Sequence, residues 1–187
     1  SMKQMAIFAS GSGTNAENII RYFIDNKYFK VVLLCSNNAN SLAVEHAKNY
    51  AIPILIFSSA ELNNSSKVIK SLKQFNVSIV ILAGFLLKIP NSLIQMYSNS
   101  IINLHPSLLP KYGGKGMYGI NVHQAVIKNK ESVSGITIHY VNTNYDDGAI
   151  LFQASCDVDK SDTPFTLQAK IHLLEQAHFP QVIEKFL

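Results

Sequence analysis

Asn103, His105 and Asp146 are the residues whose types and spacing most readily do chemistry. Side chains recur on one face of a strand every second residue, so in Ile102-Asn103-Leu104-His105 the amide and the imidazole point the same way. Pro106 removes the next ladder hydrogen bond and biases His105 toward extended geometry, ending the strand there. A His and an amide thus stand together at the carboxyl end of a strand, where open α/β sheets bind ligands. A structural His beside a chance Asn would look the same. The weight shifts with the polar loop NTNYDDG (142–148), which carries adjacent acids at Asp146 and Asp147. A carboxylate orients an imidazole and favours its protonated form, the usual arrangement for acid–base work near neutral pH. An amide supplies a donor where negative charge develops on oxygen. Ordinary turn chemistry competes for the two acids. A calcium loop does not: an EF-hand needs Gly one position earlier and Glu at residue 153, which is Gln.

A second candidate is Gly11-Ser12-Gly13-Thr14-Asn15, between an apolar run and a helical stretch. That arrangement offers backbone N–H groups and a helix N-terminus to an anion. It nearly spells a dinucleotide fingerprint, with Ala16 in the third glycine position. The second strand, however, ends Cys35-Ser36-Asn37-Asn38, with no acid for a ribose and no nearby Arg for a 2′-phosphate. No GK[ST] follows, which argues against nucleoside triphosphate hydrolysis. A monophosphate site is the favoured reading, against a tight turn that needs glycine for its backbone alone.

These residues need elements to hold them. MAIFAS (5–10), VVLLCS (31–36), ILIF (54–57) and VSIVILA (77–83) read as buried strands. Helical periods fall between them: Ala16, Ile19, Ile20 and Phe23; Leu42, Ala43 and Ala47 within 41–50; and Leu62, Val68, Ile69, Leu72 and Phe75 within 59–75. A short helix is expected near 90–97, then the strand IINLH. The alternation predicts right-handed βαβ units on a parallel sheet. SGITIHYV (134–141) and AILFQASCDV (149–158) are too close for a crossover and predict a hairpin. Thr163-Pro164 opens a last helix running to about Phe186. The expected fold is α/β: an open, mixed, mainly parallel twisted sheet of Rossmann-like type with a C-terminal β-hairpin and helix. One domain is expected over 2–187, with a phosphate-binding βαβ half at about 2–100 and a catalytic half at about 101–187. Ser1 before Met2 reads as a tag remnant.

Composition agrees with that class. The 187 residues are 48% hydrophobic and 15% charged, with material for one core. No run approaches the ~18 apolar residues of a membrane span, and no basic-then-apolar leader is read. Cys35 and Cys156 show no CxxC spacing, so both are expected as small buried hydrophobes in a reducing, cytoplasmic setting. The lysines behind the net charge of +4 are scattered, which suits a small phosphorylated molecule and argues against nucleic acid.

With strand-SGSGTN, LAGF (82–85), INLHPSLLPKYGG (102–114), DDGAIL (146–151) and HLLEQAHFP (172–180) in order, the chain resembles the phosphoribosylglycinamide formyltransferase family of folate-dependent formyl-transfer enzymes. The likeness covers almost the whole chain. It implies direct attack by the amine of phosphoribosylglycinamide on the formyl carbon of 10-formyltetrahydrofolate, a co-substrate, in purine biosynthesis, with no metal and no covalent enzyme intermediate. His105 would be the general acid, favoured in its charged form by Asp146, and Asn103 would hold the oxyanion. Gly11, Ser12, Gly13, Thr14 and Asn15 would take the phosphate, with Gly84, Leu86 and Pro106 lining the channel. Glu175 would take the ribose hydroxyls; alternatively it is a helix-surface acid paired with His172. The folate would lie against Leu86, Leu87, Lys88 and Ile89, Asn103, and the loop Asn142, Thr143, Asn144, Tyr145 and Asp146. Thr137 and His139 would stand behind the site. Small molecules are the implied partners, with no nucleic acid or membrane, for a monomer or homodimer.

Three departures matter. Leu86-Leu87-Lys88 stands where the family often has Met-Arg after the phenylalanine. The loop YGGKGMYG (112–119) is long and glycine-rich where many members are shorter and carry a His; its side chains have no assigned role, and His123 is the nearest His. Longer members also carry a C-terminal extension. Related tRNA formyltransferases and deformylases share the triplet but carry extra domains, which are not expected here. An amino-sugar formyltransferase and a non-catalytic phosphometabolite-binding module are the rivals. The crowded Leu109-Pro110 bond is expected to be cis.

Overall fold

The computed structural model describes residues 1–144 and 146–187; Tyr145, expected on the folate side, lies outside the described residues. The chain forms two compact units, Ser1–Ile102 and Asn103–Leu187. The first runs β1 (Lys3–Phe8), α1 (Thr14–Phe23), β2 (Phe29–Ser36), α2 (Leu42–Asn49), β3 (Ile54–Ile56), α3 (Ser59–Asn64), α4 (Ser66–Gln74), β4 (Ile79–Leu82) and α5 (Asn91–Met96). Strand β5 (Ile101–His105) carries the chain into the second, which holds α6 (Ile120–Lys128), β6 (Val133–Tyr140), β7 (Ile150–Asp157) and α7 (Pro164–Phe186). The strands form one seven-stranded sheet in the order β3-β2-β1-β4-β5-β6-β7. It is the mixed, mainly parallel α/β architecture that the pattern predicts.

In the first unit β1 pairs in parallel with β2 and β4, and β2 with β3. Parallel neighbours need a crossover, and a helix supplies each one. Met5, Ala6, Ile7 and Phe8 are fully buried, the run of apolar residues that a strand covered on both faces requires. Ala16, Ile19, Ile20 and Phe23 form the buried stripe of α1, as their spacing predicts. Two local expectations fail. Leu42 is 58% exposed, because Ala43, Val44 and Ala47 carry the buried face of α2. The helix expected over 59–75 is two helices, broken at Ser65, whose φ of 65° is left-handed. Beyond β4, Phe85 packs edge-on to Phe8 at 5.3 Å and near Phe57 at 6.0 Å, which fixes the start of the loop that follows.

In the second unit β6 and β7 form the expected antiparallel hairpin. Helix α7 opens on a Thr163–Thr166 capping box with Pro164 in its first turn. Lys170 Nζ clamps its approach, at 2.9 Å from Asp159 and 2.6 Å from Asp162. The Leu109–Pro110 peptide is cis, as expected. Helix α6 has no counterpart in the sequence-based elements. Cys35 is buried, whereas Cys156 is only half-buried. Among the described residues no helix is long and apolar enough to cross a membrane.

Candidate active site

His105 ends β5 and is 4% exposed. Its Nδ1 lies 3.4 Å from Asp146 Oδ1, and its Nε2 lies 2.8 Å from the Tyr112 carbonyl oxygen. Both ring nitrogens face oxygen acceptors, and only the doubly protonated ring donates to both. Asp146 is held in turn by the Gly114 N–H, which donates to Oδ2 at 2.9 Å. The glycine-rich loop, which had no assigned role from sequence, therefore braces the imidazole and the carboxylate through its main chain. Gly113 packs closely here: a Cβ would stand 2.6 Å from Leu109 Cδ2 and 3.2 Å from Asp146 Cβ, so those side chains would have to give way. Gly148 explains the Asp-x-Gly spacing, since a Cβ there would run into the Tyr140 carbonyl oxygen.

Asn103 Nδ2 lies 3.2 Å from His139 Nε2, and His139 Nδ1 lies 2.9 Å from the Tyr140 carbonyl oxygen. Burial lowers the His139 pKa, outweighing the Tyr140 carbonyl and Asp146, which favour its charged form. A neutral ring with its proton on Nδ1 meets every one of these contacts: it donates to Tyr140 and accepts from the Asn103 amide. One Asn103 N–H is thereby used, and the amide plane is fixed. His139 Nε2 also stands 3.8 Å from Asp146 Oδ1, so the three expected residues and His139 form one cluster. Thr137 serves the turn instead. Its hydroxyl donates to the Ser107 carbonyl at 2.7 Å and accepts from the Leu109 N–H and from Gln153. Pro106 is half-buried beside it.

His123, on α6, is 1% exposed, and its Nδ1 has no partner among the described residues. Burial pushes its pKa down to about 4, with His172 and His105 adding repulsion. The folded state therefore resists a proton that the unfolded state takes up near 6.5. Its contribution to stability is fully present above 6.5 and is lost as pH falls toward 4, on the order of 3 kcal/mol in all. His139 and His172 shift in the same direction. Urea unfolding of the wild type should therefore weaken between about pH 7.5 and pH 5, and a His123→Leu variant should lose about 2 kcal/mol less over that range. Equal losses in the two proteins would assign the acid sensitivity elsewhere.

In the first unit, α1 begins after Gly13 with no side-chain cap, leaving a helix N-terminus at the glycine loop. Gly13 has φ 69°, and a Cβ on it would strike the backbone of Ala43 at the start of α2. Gly11, Ser12 and Thr14 are exposed, and Asn15 is half-buried. Gly84 has φ 69° and open space around its Cα. Leu86 and Lys88 are exposed, Leu87 is half-buried, and Ile89 is buried. In the second unit, Asn142, Thr143 and Asn144 are exposed, and Asn144 N–H donates to Asn142 Oδ1 at 2.9 Å. Glu175 is 7% exposed and its Oε1 stands 4.0 Å from His172 Nε2. It is a buried acid, so the surface part of the alternative reading fails, while the pairing with His172 is present.

A sequence profile described as formyl transferase matches residues 3–183. The chain is 38% identical over 187 residues to the chloroplastic phosphoribosylglycinamide formyltransferase of Arabidopsis thaliana, with 97% of this chain covered; it spans 64% of that relative's length. It is 35% identical to the phosphoribosylglycinamide formyltransferase of Bacillus subtilis (strain 168), covering all of this chain and 95% of the other. The crystal structure of phosphoribosylglycinamide formyltransferase from Bacillus halodurans superposes with a TM-score of 0.90 at 33% identity, covering 99% of this chain and 95% of that one.

Proposed function

Because the chain belongs to the formyl transferase family, we propose that it transfers the formyl group of 10-formyltetrahydrofolate to the amine of phosphoribosylglycinamide. The observation that carries this reading is His105 held between Asp146 and the Tyr112 carbonyl, with the oriented Asn103 amide in the same cluster. In the proposed reaction the amine nitrogen forms the new bond to the formyl carbon and the carbon–N10 bond of the folate breaks. One proton leaves the amine and one reaches N10. Asn103 keeps an N–H for the oxygen of the tetrahedral intermediate, since only one is spent on His139. The Nε2 contact of His105 is short and the Nδ1 contact loose, so the Nδ1 proton is the one available for transfer. Asp146 stabilises the imidazolium.

The phosphate is assigned to residues 11–15, at the uncapped start of α1, with Gly84, Leu86 and Pro106 along the same substrate. The buried carboxylate of Glu175 suits a pair of ribose hydroxyls, each of which needs an acceptor. Folate contacts are assigned to 86–89, Asn103 and 142–146, mainly through backbone groups. The enzyme would work on small molecules in the cytoplasm, with no metal, nucleic acid or membrane, as a monomer or homodimer.

A formyl-transfer assay with phosphoribosylglycinamide and 10-formyltetrahydrofolate tests this, run beside a panel of amino sugars and beside hydrolysis of the donor alone. Formylation of phosphoribosylglycinamide alone is expected. Formylation of an amino sugar only, or hydrolysis only, would move the chain to another formyl-transfer or deformylase activity. No turnover with any acceptor, and His105→Ala without effect, would leave a binding module.

A further inference from the structure

Ser10, near the junction of β1 and the glycine loop, has no role in the chemistry above, yet its hydroxyl both donates and accepts. It is 7% exposed, and its Oγ donates to Asn37 Oδ1 at 2.7 Å. The same oxygen accepts from the Leu86 N–H at 3.0 Å, and the Ser10 N–H donates to the Gly84 carbonyl at 3.1 Å. One side chain therefore ties together the loops that follow β1, β2 and β4. Asn37 stands just past the end of β2, where a dinucleotide-binding chain would keep an acid for a ribose. Here the side chain is turned to Ser10 instead, which gives the failed fingerprint a physical reason.

We propose that Ser10 is a positioning residue that sets the 84–89 segment relative to the glycine loop, with Asn37 fixing the direction of its hydroxyl. The role of 84–89 and 11–15 as substrate contacts rests on the formyl-transfer reading; the tie itself does not. In a planar trans peptide the N–H and C=O point opposite ways. Holding the Leu86 N–H on Ser10 therefore turns the Phe85 carbonyl to the other side, as an acceptor for a donor on a ligand. Leu86 consequently offers a ligand its 55%-exposed side chain rather than its N–H. Gly84, at φ 69°, supplies the turn that lets the segment come back to Ser10.

The experiment compares Ser10→Ala, Ser10→Thr and Asn37→Asp with the wild type by backbone amide exchange and by steady-state kinetics. Ser10→Ala should speed exchange across 84–89 by roughly tenfold while the β1, β2 and β4 ladders keep their protection. It should also raise KM for both substrates by roughly tenfold with little change in kcat, because the chemical groups are untouched. Ser10→Thr keeps the hydroxyl, and Asn37→Asp keeps an acceptor for it, so both should restore slow exchange and low KM. Unchanged exchange at 84–89 would overturn the proposal, as would an equal loss of protection over the whole unit. So would a fall in kcat with KM unchanged. If faster local exchange appears in a protein with no formyl transfer, the tie stands and the formyl-transfer reading falls.

Discussion

Asp146→Asn is expected to lower formyl-transfer turnover by roughly 10²- to 10³-fold while the protein still folds and binds phosphoribosylglycinamide. The substitution removes a charge and little else. Asn has the same shape, its amide oxygen can accept from the Gly114 N–H, and Asn tolerates the left-handed φ of 54° at this position. What is lost is the anion facing His105 Nδ1 at 3.4 Å, with the imidazole 5% and the carboxylate 11% exposed. In so enclosed a place a charge interaction is weakly screened, and a general acid depends on the form that the carboxylate favours. Single-turnover formyl transfer and ligand binding by calorimetry separate the two effects. Turnover within threefold of wild type would remove Asp146 from the chemistry.

Gly13→Ala should be the most damaging small change in the first unit. Two independent costs meet at this residue. A left-handed φ of 69° costs an L residue about 1–2 kcal/mol. The new methyl would also press into the Ala43 backbone, which belongs to a helix and yields only by moving α2. Together they should take about 3 kcal/mol or more from stability and raise KM for the phosphorylated substrate. Gly11→Ala is the control, because a Cβ at Gly11 meets nothing within 4 Å. Urea unfolding should leave Gly11→Ala within about 0.5 kcal/mol of wild type. If both variants unfold alike, close packing on α2 is not what Gly13 provides.

These contrasts mark what the sequence could and could not make visible. The α1 stripe and the buried strands were legible because burial leaves a period in residue types, and Asn103 with His105 was legible because a strand alternates. The break at Ser65 was missed, because the apolar period of 62–75 runs across the Asn63-Asn64-Ser65-Ser66 cluster that marks it. Helix α6 was hidden too: it follows a segment with four glycines, and its buried Val122, His123 and Val126 are mixed with the apolar Ala125 and Ile127, which blurs the helical period. In the site, Asp146 could be suspected from its residue type. Its partners could not, since the Tyr112 carbonyl and the Gly114 N–H are main-chain groups, which residue type does not advertise. His139 lay between these cases, a residue of the right type on the right strand whose neutral state follows only from its burial.

The bracing of His105 and Asp146 by main-chain atoms of residues 112 and 114 has a consequence for how this segment can drift. Substitutions at exposed Lys115 or Tyr118 leave the bracing atoms in place, whereas losing one residue between His105 and Gly114 would move both of them out of reach. Selection on this stretch therefore falls on its length as well as on the glycine at 114, whose φ of 95° an L side chain rarely adopts. A comparison that scores only residue identity will undervalue it.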